Sequence, residues 1–154
     1  MTGTTRVIGV GNAYRGDDAA GIRVAKALRE AKVIPPARIQ QCDGDGTALL
    51  GWFKDTDRVI LIDAAEGGGE PGTIRRIDAN AEEMPRDLFA RFSHTFGLAE
   101  AIETARSLGE LPATTVVYAI AGASWEPGGA MTPAVAKAVG EAVKRITAEL
   151  KERG

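Results

Sequence analysis

The sequence predicts a three-layer α/β/α domain with a mostly parallel five-stranded sheet and one antiparallel edge strand. Strand-like apolar runs alternate along the chain with segments whose apolar residues recur at helical spacing, and this alternation implies right-handed crossovers between parallel strands. The run 59–62 is four branched apolar residues in succession, as in a strand covered on both faces. The 154 residues contain no repeat and no long linker, so residues 1–154 are expected to form a single domain.

The first part of the chain predicts two strands and two helices before this buried run. Residues 6–10 are a β-branched run that ends in turn-forming residues, which predicts a first strand. Apolar residues at i, i+3, i+4 and i+7 then predict a helix whose N-cap region holds Asp17 and Asp18. The next two predicted elements are a weaker strand at 38–42 and a short helix at 47–53.

The second part of the chain predicts two more strands and two more helices. Residues 72–78 follow a proline and carry charges at alternate positions, which predicts an edge strand. An apolar face from Leu98 to Leu108 ends at Gly109, which suits a helix C-terminus, and residues 115–120 form another buried strand. Thr132 and Pro133 supply an N-cap and a first-turn proline for a last helix. The apolar stripe of that helix is Val135, Val139, Val143, Ile146 and Leu150.

The composition excludes several classes of protein. Hydrophobic residues make up 44% and charged residues 26%, as is usual for a folded globular domain. The formal net charge of −2 argues against a nucleic-acid partner. No stretch approaches the ~20 apolar residues of a membrane span, and the N-terminus lacks a basic segment followed by a long apolar run. We therefore expect a cytoplasmic protein that binds neither nucleic acid nor membrane.

A nucleotide-binding loop is suggested by Gly9, Val10 and Gly11, but the remainder of the fingerprint is missing. The dinucleotide motif needs a glycine three residues after its second glycine, and Tyr14 stands there. Asp17 and Asp18 would also direct two carboxylates at a pyrophosphate, with strong repulsion in a partly dehydrated crevice. We therefore expect no nucleotide at this loop and no organic cofactor.

Acidic residues and the single histidine fall where such a sheet binds ligands, beyond the carboxyl ends of its strands. Asp17 and Asp18 follow the first strand, Asp63 ends the run 59–62, and His94 precedes a helix that starts near residue 95. If strands one and three are neighbours, these places converge on one edge. Each residue alone has a plainer interpretation, as a helix cap, a turn former or a solvated histidine. The prediction of a site rests on their falling together.

Two carboxylates and one imidazole form a mixed oxygen and nitrogen ligand set. Such a set suits a borderline or hard divalent ion and leaves positions open for substrate or water. Nickel, zinc, manganese and non-haem iron all fit. A nucleophile formed by Cys42 with His94 is less favoured, because nothing in the sequence lowers the pKa of Cys42, which we expect to pack in the core.

The ordered motifs of the chain resemble those of the nickel–iron (NiFe) hydrogenase maturation endopeptidases. The chain begins with an apolar strand, then Gly-x-Gly-Asn and an acidic pair, as that family does. Similar segments continue in family order over nearly the whole chain. They are residues 7–18, 21–24, 46–47, 59–64, 71–73, 93–98 and 131–133.

The resemblance implies an endopeptidase that removes a C-terminal extension from the hydrogenase large-subunit precursor after nickel insertion. In the family, residues matching Asp18, Asp63 and His94 contact the metal, and we expect Asp18 and Asp63 to be catalytic. The nickel belongs to the substrate and acts as a recognition signal. We also expect contacts with substrate at four positions, namely Asp17, Asp45, Gly46 and Thr47.

The sequence departs from the family pattern after strands two and five. Many members have Asp-Gly-Gly-Thr-Ala-Gly after strand two, whereas this chain has an extra acid there, so either Asp43 or Asp45 can match. A simple turn and helix cap is the plainer interpretation of this segment. After strand five, the frequent Pro-Glu-Ser or Glu-Gly pattern is replaced at 121–128, which indicates a different partner subclass.

The leading hypothesis is therefore an aspartic-type or metal-assisted endopeptidase. One alternative is an assembly module that senses nickel without cutting its partner. A third possibility is a stand-alone metal hydrolase that acts on a small amide.

Overall fold

A five-stranded sheet lies at the centre of the computed structural model, which describes residues 4–89 and 96–152. The strands are β1 (Thr5–Val10), β2 (Ile39–Cys42), β3 (Arg58–Ala65), β4 (Ile74–Asp78) and β5 (Thr114–Ala121). The helices are α1 (Ala20–Ala31), α2 (Gly46–Phe53), α3 (Leu98–Leu108) and α4 (Pro133–Glu152). In the described part of the chain, no helix has both the length and the apolar character needed to cross a membrane.

The strand order is β2-β1-β3-β5-β4, and β4 forms one edge of the sheet. β1 runs parallel to both β2 and β3, β3 runs parallel to β5, and β4 is antiparallel to β5. The predicted sheet, with its single antiparallel edge strand, is confirmed. β1 and β3 are neighbours, which is the condition under which the acids that follow them meet at one edge.

The two faces of the sheet carry separate apolar cores. Along β3, Leu61 and Ala65 contribute to the core shared with α2 and α3, whereas Ile60, Ile62 and Ala64 contribute to the core shared with α1 and α4. This division follows from strand geometry, because successive side chains point to opposite faces. The predicted three-layer arrangement is therefore confirmed.

Helix α1 begins in close contact with the sheet because its second residue is Gly21. A Cβ atom at Gly21 would lie 2.3 Å from the carbonyl oxygen of Ile62 and 2.5 Å from that of Val10. Only glycine permits this approach. The start of α1 is thereby fixed over the carboxyl ends of β1 and β3, and the acidic residues just before it are fixed with it.

Some differences from the predicted elements only move a boundary: β4 begins at Ile74 and not at residue 72, and α3 begins at Leu98 and not near residue 95. Two others affect the site and the core. β3 does not end at residue 62, because its pairing with β5 continues to Ala65 opposite Ala121. Asp63 therefore lies inside a strand instead of in a turn after it. In α4, the alanines Ala138 and Ala142 are fully part of the core, and the predicted Val139 and Val143 pack at its margin.

Candidate active site

Three aspartates lie at the carboxyl ends of the neighbouring strands β1 and β3. Asp17 and Asp18 occupy a short 3-10 helix, Gly16–Ala19, which connects β1 to α1 and contacts β3. Their exposed fractions are 0% and 5%, and that of Asp63 is 6%. The structure thus places the predicted catalytic residues Asp18 and Asp63 at the same edge of the sheet, both largely withdrawn from water.

Asp18 is held by the loop that follows β1. Its Oδ2 accepts a hydrogen bond from the backbone N–H of Asn12, with a distance of 3.1 Å. Gly11 allows the loop to wrap this turn, since its φ is +143° and a Cβ there would lie 2.1 Å from the carbonyl oxygen of Asp18. The interpretation of Asp18 as a helix cap is wrong, because Ala19 occupies the N-cap position of α1.

Asp17 is enclosed by the segment that follows β5. Its carboxylate accepts hydrogen bonds from the backbone N–H groups of Ala123 (2.8 Å), Ser124 (2.9 Å) and Thr132 (2.7 Å), and from the Thr132 hydroxyl (3.0 and 3.1 Å). Burial alone would raise the pKa of the Asp17 carboxyl, but these hydrogen bonds hold its pKa below the ordinary value. Asp17 is fully buried, and its direct contact with substrate remains a prediction.

Asp63 belongs to the face of the sheet that carries α2 and α3, because it alternates with Leu61 and Ala65 along β3. Cys42, at the end of β2, lies on this face as well. Burial raises the pKa of the Cys42 thiol, and the negative charges of Asp43, Asp63 and Asp45 raise it further. The predicted packing role of Cys42 is confirmed by its burial in this core, and a raised pKa makes a thiol a poor nucleophile.

The segment between β2 and α2 is a capped turn at the same edge. The Asp45 carboxylate accepts a hydrogen bond from the Thr47 N–H at 2.9 Å and so caps α2, while Asp43 accepts from the Asp45 N–H at 3.1 Å. Gly46 donates its N–H to the carbonyl of Phe96 at 2.9 Å, just before α3 begins. This agrees with the plainer interpretation of the segment. Substrate contacts by Asp45, Gly46 and Thr47 remain a prediction.

His94, the third predicted metal ligand, lies outside the described residues. Within residues 4–89 and 96–152, no three side chains of histidine, cysteine, aspartate or glutamate are grouped so that they could hold a metal ion. A complete site would need His94. The ligand set of Asp18, Asp63 and His94 therefore remains a prediction.

Sequence reasoning missed the residues that enclose Asp17. Ala123, Ser124 and Thr132 stand 106, 107 and 115 positions further along the chain. Contacts over such separations leave no periodic pattern in the sequence. Of these residues, sequence analysis singled out only Thr132, and it did so as the N-cap of the last helix. In the structure the Thr132 hydroxyl donates to the Asp17 carboxylate.

The class of protein follows from solved structures that share this fold. A solution structure of an endopeptidase from Escherichia coli superposes with a TM-score of 0.77 at 30% identity, covering 97% of this chain and 94% of that one. The hydrogenase maturating endopeptidase HybD from E. coli gives a TM-score of 0.74 at 28% identity, with coverages of 98% and 94%. The chain thus has the fold of solved endopeptidases.

Sequence comparisons identify the family. The sequence model of the HycI family, described as hydrogenase maturation protease, matches residues 22–149. The hydrogenase 2 maturation protease of E. coli K12 is 33% identical over 152 residues, which cover 96% of this chain and 91% of that relative. The chain belongs to the hydrogenase maturation protease family, as its motifs predicted. The comparisons favour the endopeptidase over the nickel-sensing assembly module.

Proposed function

We propose that this protein removes the C-terminal extension of a NiFe-hydrogenase large-subunit precursor after nickel has been inserted. The observation that carries the proposal is the placement of Asp18 and Asp63, both nearly buried, at the carboxyl ends of adjacent parallel strands. This is the edge at which open α/β sheets bind their ligands. Membership of a maturation protease family supplies the class of reaction.

The nickel enters as part of the substrate, and Asp18, Asp63 and His94 are the groups that contact it. Two carboxylates and one imidazole do not fill the coordination of a divalent ion. This incompleteness supports a metal that the precursor already holds. Contact with the metal would align the scissile peptide at the sheet edge, so that a precursor without nickel is not positioned for cleavage.

Water is the nucleophile in the proposed reaction. Its oxygen adds to the scissile carbonyl carbon while Asp18 or Asp63 accepts its proton, and the same carboxyl later returns a proton to the departing amine. The C–N bond then breaks and a new carboxylate forms. Polarisation of the water by the substrate's metal is the metal-assisted form of this reaction. Low exposure strengthens the interaction of both carboxylates with a cation.

The test compares nickel-loaded with nickel-free precursor, and mass spectrometry records loss of the C-terminal segment. We expect cleavage of the loaded precursor and none of the nickel-free form. Equal cleavage of both forms would contradict the nickel checkpoint. An intact mass under both conditions would contradict proteolysis and favour the assembly module.

Variants test the assignment of the site. Asp18→Ala and Asp63→Ala are expected to abolish cleavage. Asp55→Asn is the control, since this exposed carboxylate lies between α2 and the amino end of β3. If the alanine variants cut as fast as the control, the site lies elsewhere.

A further inference from the structure

We propose that Asp17 is a positioning residue that fastens residues 122–132 to the turn bearing Asp18, and so builds one wall of the substrate-binding edge. The inference rests on the proposed function, because it concerns how the precursor is held there. We call this set of contacts the Asp17 clasp: Asp17 on one side, and Ala123, Ser124 and Thr132 on the other.

Hydrogen bonds cross the clasp in both directions. Besides the donors that converge on its carboxylate, the backbone N–H of Asp17 donates to the carbonyl of Ser124 at 2.8 Å. Nearby, the N–H of Gly128 donates to the carbonyl of Tyr14 at 2.6 Å. The loop after β1 and the segment after β5 are therefore joined at two points, with Asp17 at the more buried one.

Two glycines let the joined segments approach each other closely. Gly16 has a φ of +55°, and a Cβ there would lie 2.7 Å from the carbonyl oxygen of Ser124. A Cβ at Gly122 would lie 2.6 Å from the ring of Trp125 and 3.0 Å from the Cβ of Asp17. This close fit couples the start of the segment 122–132 to the turn that carries Asp18.

The fastened segment follows the carboxyl end of β5 and lines a cavity. The cavity has a volume of about 370 Å³ and is lined by Ala123, Ser124, Trp125, Glu126 and Pro127. Ala123 and Ser124 belong both to this lining and to the clasp. Tyr14, 81% exposed, belongs to the loop that the clasp holds against this segment. A bound polypeptide that reaches Asp18 would thus meet a wall whose position Asp17 sets.

Loss of the clasp should release this wall without unfolding the domain. The two apolar cores are built mainly from the strands and from α1 to α4, and residues 122–132 contribute only Trp125 and Met131 at the margin of one of them. A loosened wall weakens the binding of precursor. A general loss of stability instead lowers the fraction of folded enzyme, which reduces the apparent kcat and leaves KM unchanged.

The experiment measures kcat and KM for the nickel-loaded precursor, together with Kd for the same precursor by titration. Asp17→Asn replaces an acceptor oxygen by a donor that faces N–H groups, and Thr132→Val removes the hydroxyl. Both are expected to raise KM and Kd about tenfold or more, because small misplacements are costly at such sites. Thr132→Ser keeps the hydroxyl and should restore values within about twofold of the wild type.

Thr115→Val supplies the control for stability. Thr115 is fully buried at the amino end of β5, where its hydroxyl donates to the carbonyl of Pro112 at 2.9 Å. This variant should lower Tm while KM remains that of the wild type. If Asp17→Asn and Thr132→Val behave like Thr115→Val, with lower Tm and unchanged KM and Kd, the positioning role is overturned.

Hydrogen exchange separates this inference from the proposed function. The amides of Ala123, Ser124 and Thr132 should exchange faster in Asp17→Asn than in the wild type, while those of β3 stay protected. If wild-type protein does not cut the precursor, the proposed function fails, and Kd and exchange still decide the clasp. If Asp17→Asn does not fold, the comparison of Thr132→Val with Thr132→Ser tests the positioning role instead. In that case, unchanged hydrogen exchange and unchanged Kd in Thr132→Val overturn the positioning role.

Discussion

Two buried or half-buried carboxylates of this protein are held by different kinds of partner. Asp17 accepts hydrogen bonds from three backbone N–H groups and one hydroxyl. Glu149, near the end of α4, is held by side chains: the Arg76 guanidinium at 2.8 and 3.1 Å, and the Tyr118 hydroxyl. Backbone donors fix a chain segment in place, whereas side-chain donors join elements that are already formed. We therefore expect the first arrangement to position a chain segment and the second to contribute mainly to stability.

The Glu149 network joins three elements on the face of the sheet that carries α4. Burial raises the pKa of Tyr118 to about 12, and the hydrogen bond to Glu149 contributes. Burial would raise the pKa of the Glu149 carboxyl, but Arg76 and Tyr118 hold its pKa below the ordinary value. The side chain of Arg76 is 47% exposed and that of Glu149 is 15% exposed, so water weakens the ion pair only partly.

The largest expected effect is a loss of cleavage rate, which should occur at the sheet edge and not at the Glu149 network. Asp63→Asn should lower kcat by about 10²–10⁴-fold, the usual contribution of a general base. Glu149→Gln should cut the precursor at the wild-type rate at a temperature where both proteins are folded. Steady-state cleavage of nickel-loaded precursor measures both. An Asp63→Asn variant with wild-type activity would contradict the catalytic role of the sheet edge. A folded but inactive Glu149→Gln variant would contradict the purely stabilising role of the Glu149 network.

A smaller effect is expected on the free energy of unfolding. Glu149→Gln should lower it by about 1–2 kcal/mol, since Arg76 and Tyr118 lose a charged acceptor. Urea denaturation measures the change. The matched control is Glu141→Gln, because Glu141 pairs with Arg145 where both side chains are about half exposed, and its loss should cost about 0.5 kcal/mol or less. Equal losses in the two variants would mean that the network adds nothing beyond a surface pair.

The stabilisation from Glu149 should also depend on pH. Because the pKa of Glu149 is lower in the folded than in the unfolded protein, its charge stabilises the fold above the unfolded pKa, near 4.5. The contribution is lost as pH falls through the folded pKa. The difference in unfolding free energy between wild type and Glu149→Gln should thus be constant near neutral pH and shrink below about pH 4.5. A difference that persists or grows in acid would contradict this assignment.

The smallest expected effect is a gain in stability on the α4 side. Gly140 lies inside α4, and a Cβ there would meet no atom within 4 Å. Gly140→Ala should raise the unfolding free energy by about 0.5–1 kcal/mol through helix propensity. At the clasp, Gly16→Ala should be destabilising, because of the positive φ and the nearby Ser124 oxygen. Thermal melts should show a higher Tm for Gly140→Ala and a lower Tm for Gly16→Ala. Shifts of Tm in the same direction would contradict this prediction.

Local patterns were sufficient to predict most of the fold. Helix α3 spans the predicted apolar face from Leu98 to Leu108, although it starts at Leu98 and not near residue 95, and Gly109 ends it in the left-handed conformation with a φ of 72°. The placement of Asp18 and Asp63 at one edge could also be predicted, because adjacent parallel strands end at the same edge of a sheet. The burial of both residues and the hydrogen bond from Asn12 to Asp18 could not be predicted, since these depend on which loops close over that edge.

The role of Asp17 shows why the rest of the site escaped prediction. An acid before a helix usually caps it, but here a 3-10 turn intervenes and Ala19 takes the cap position. The true partners of Asp17 follow β5, more than 100 residues away. Contacts between residues so far apart in the sequence cannot be predicted from local patterns, because they form only once β5 lies beside β3.

The antiparallel edge strand β4 has a consequence for self-association. An edge strand exposes a row of backbone N–H and C=O groups, on which another chain can build an intermolecular sheet or a fibril. β4 has only five residues, and among them Arg75, Arg76 and Asp78 are exposed. Short length and charge both oppose the addition of a further strand. The residues of β4 therefore disfavour intermolecular strand pairing at this edge of the sheet.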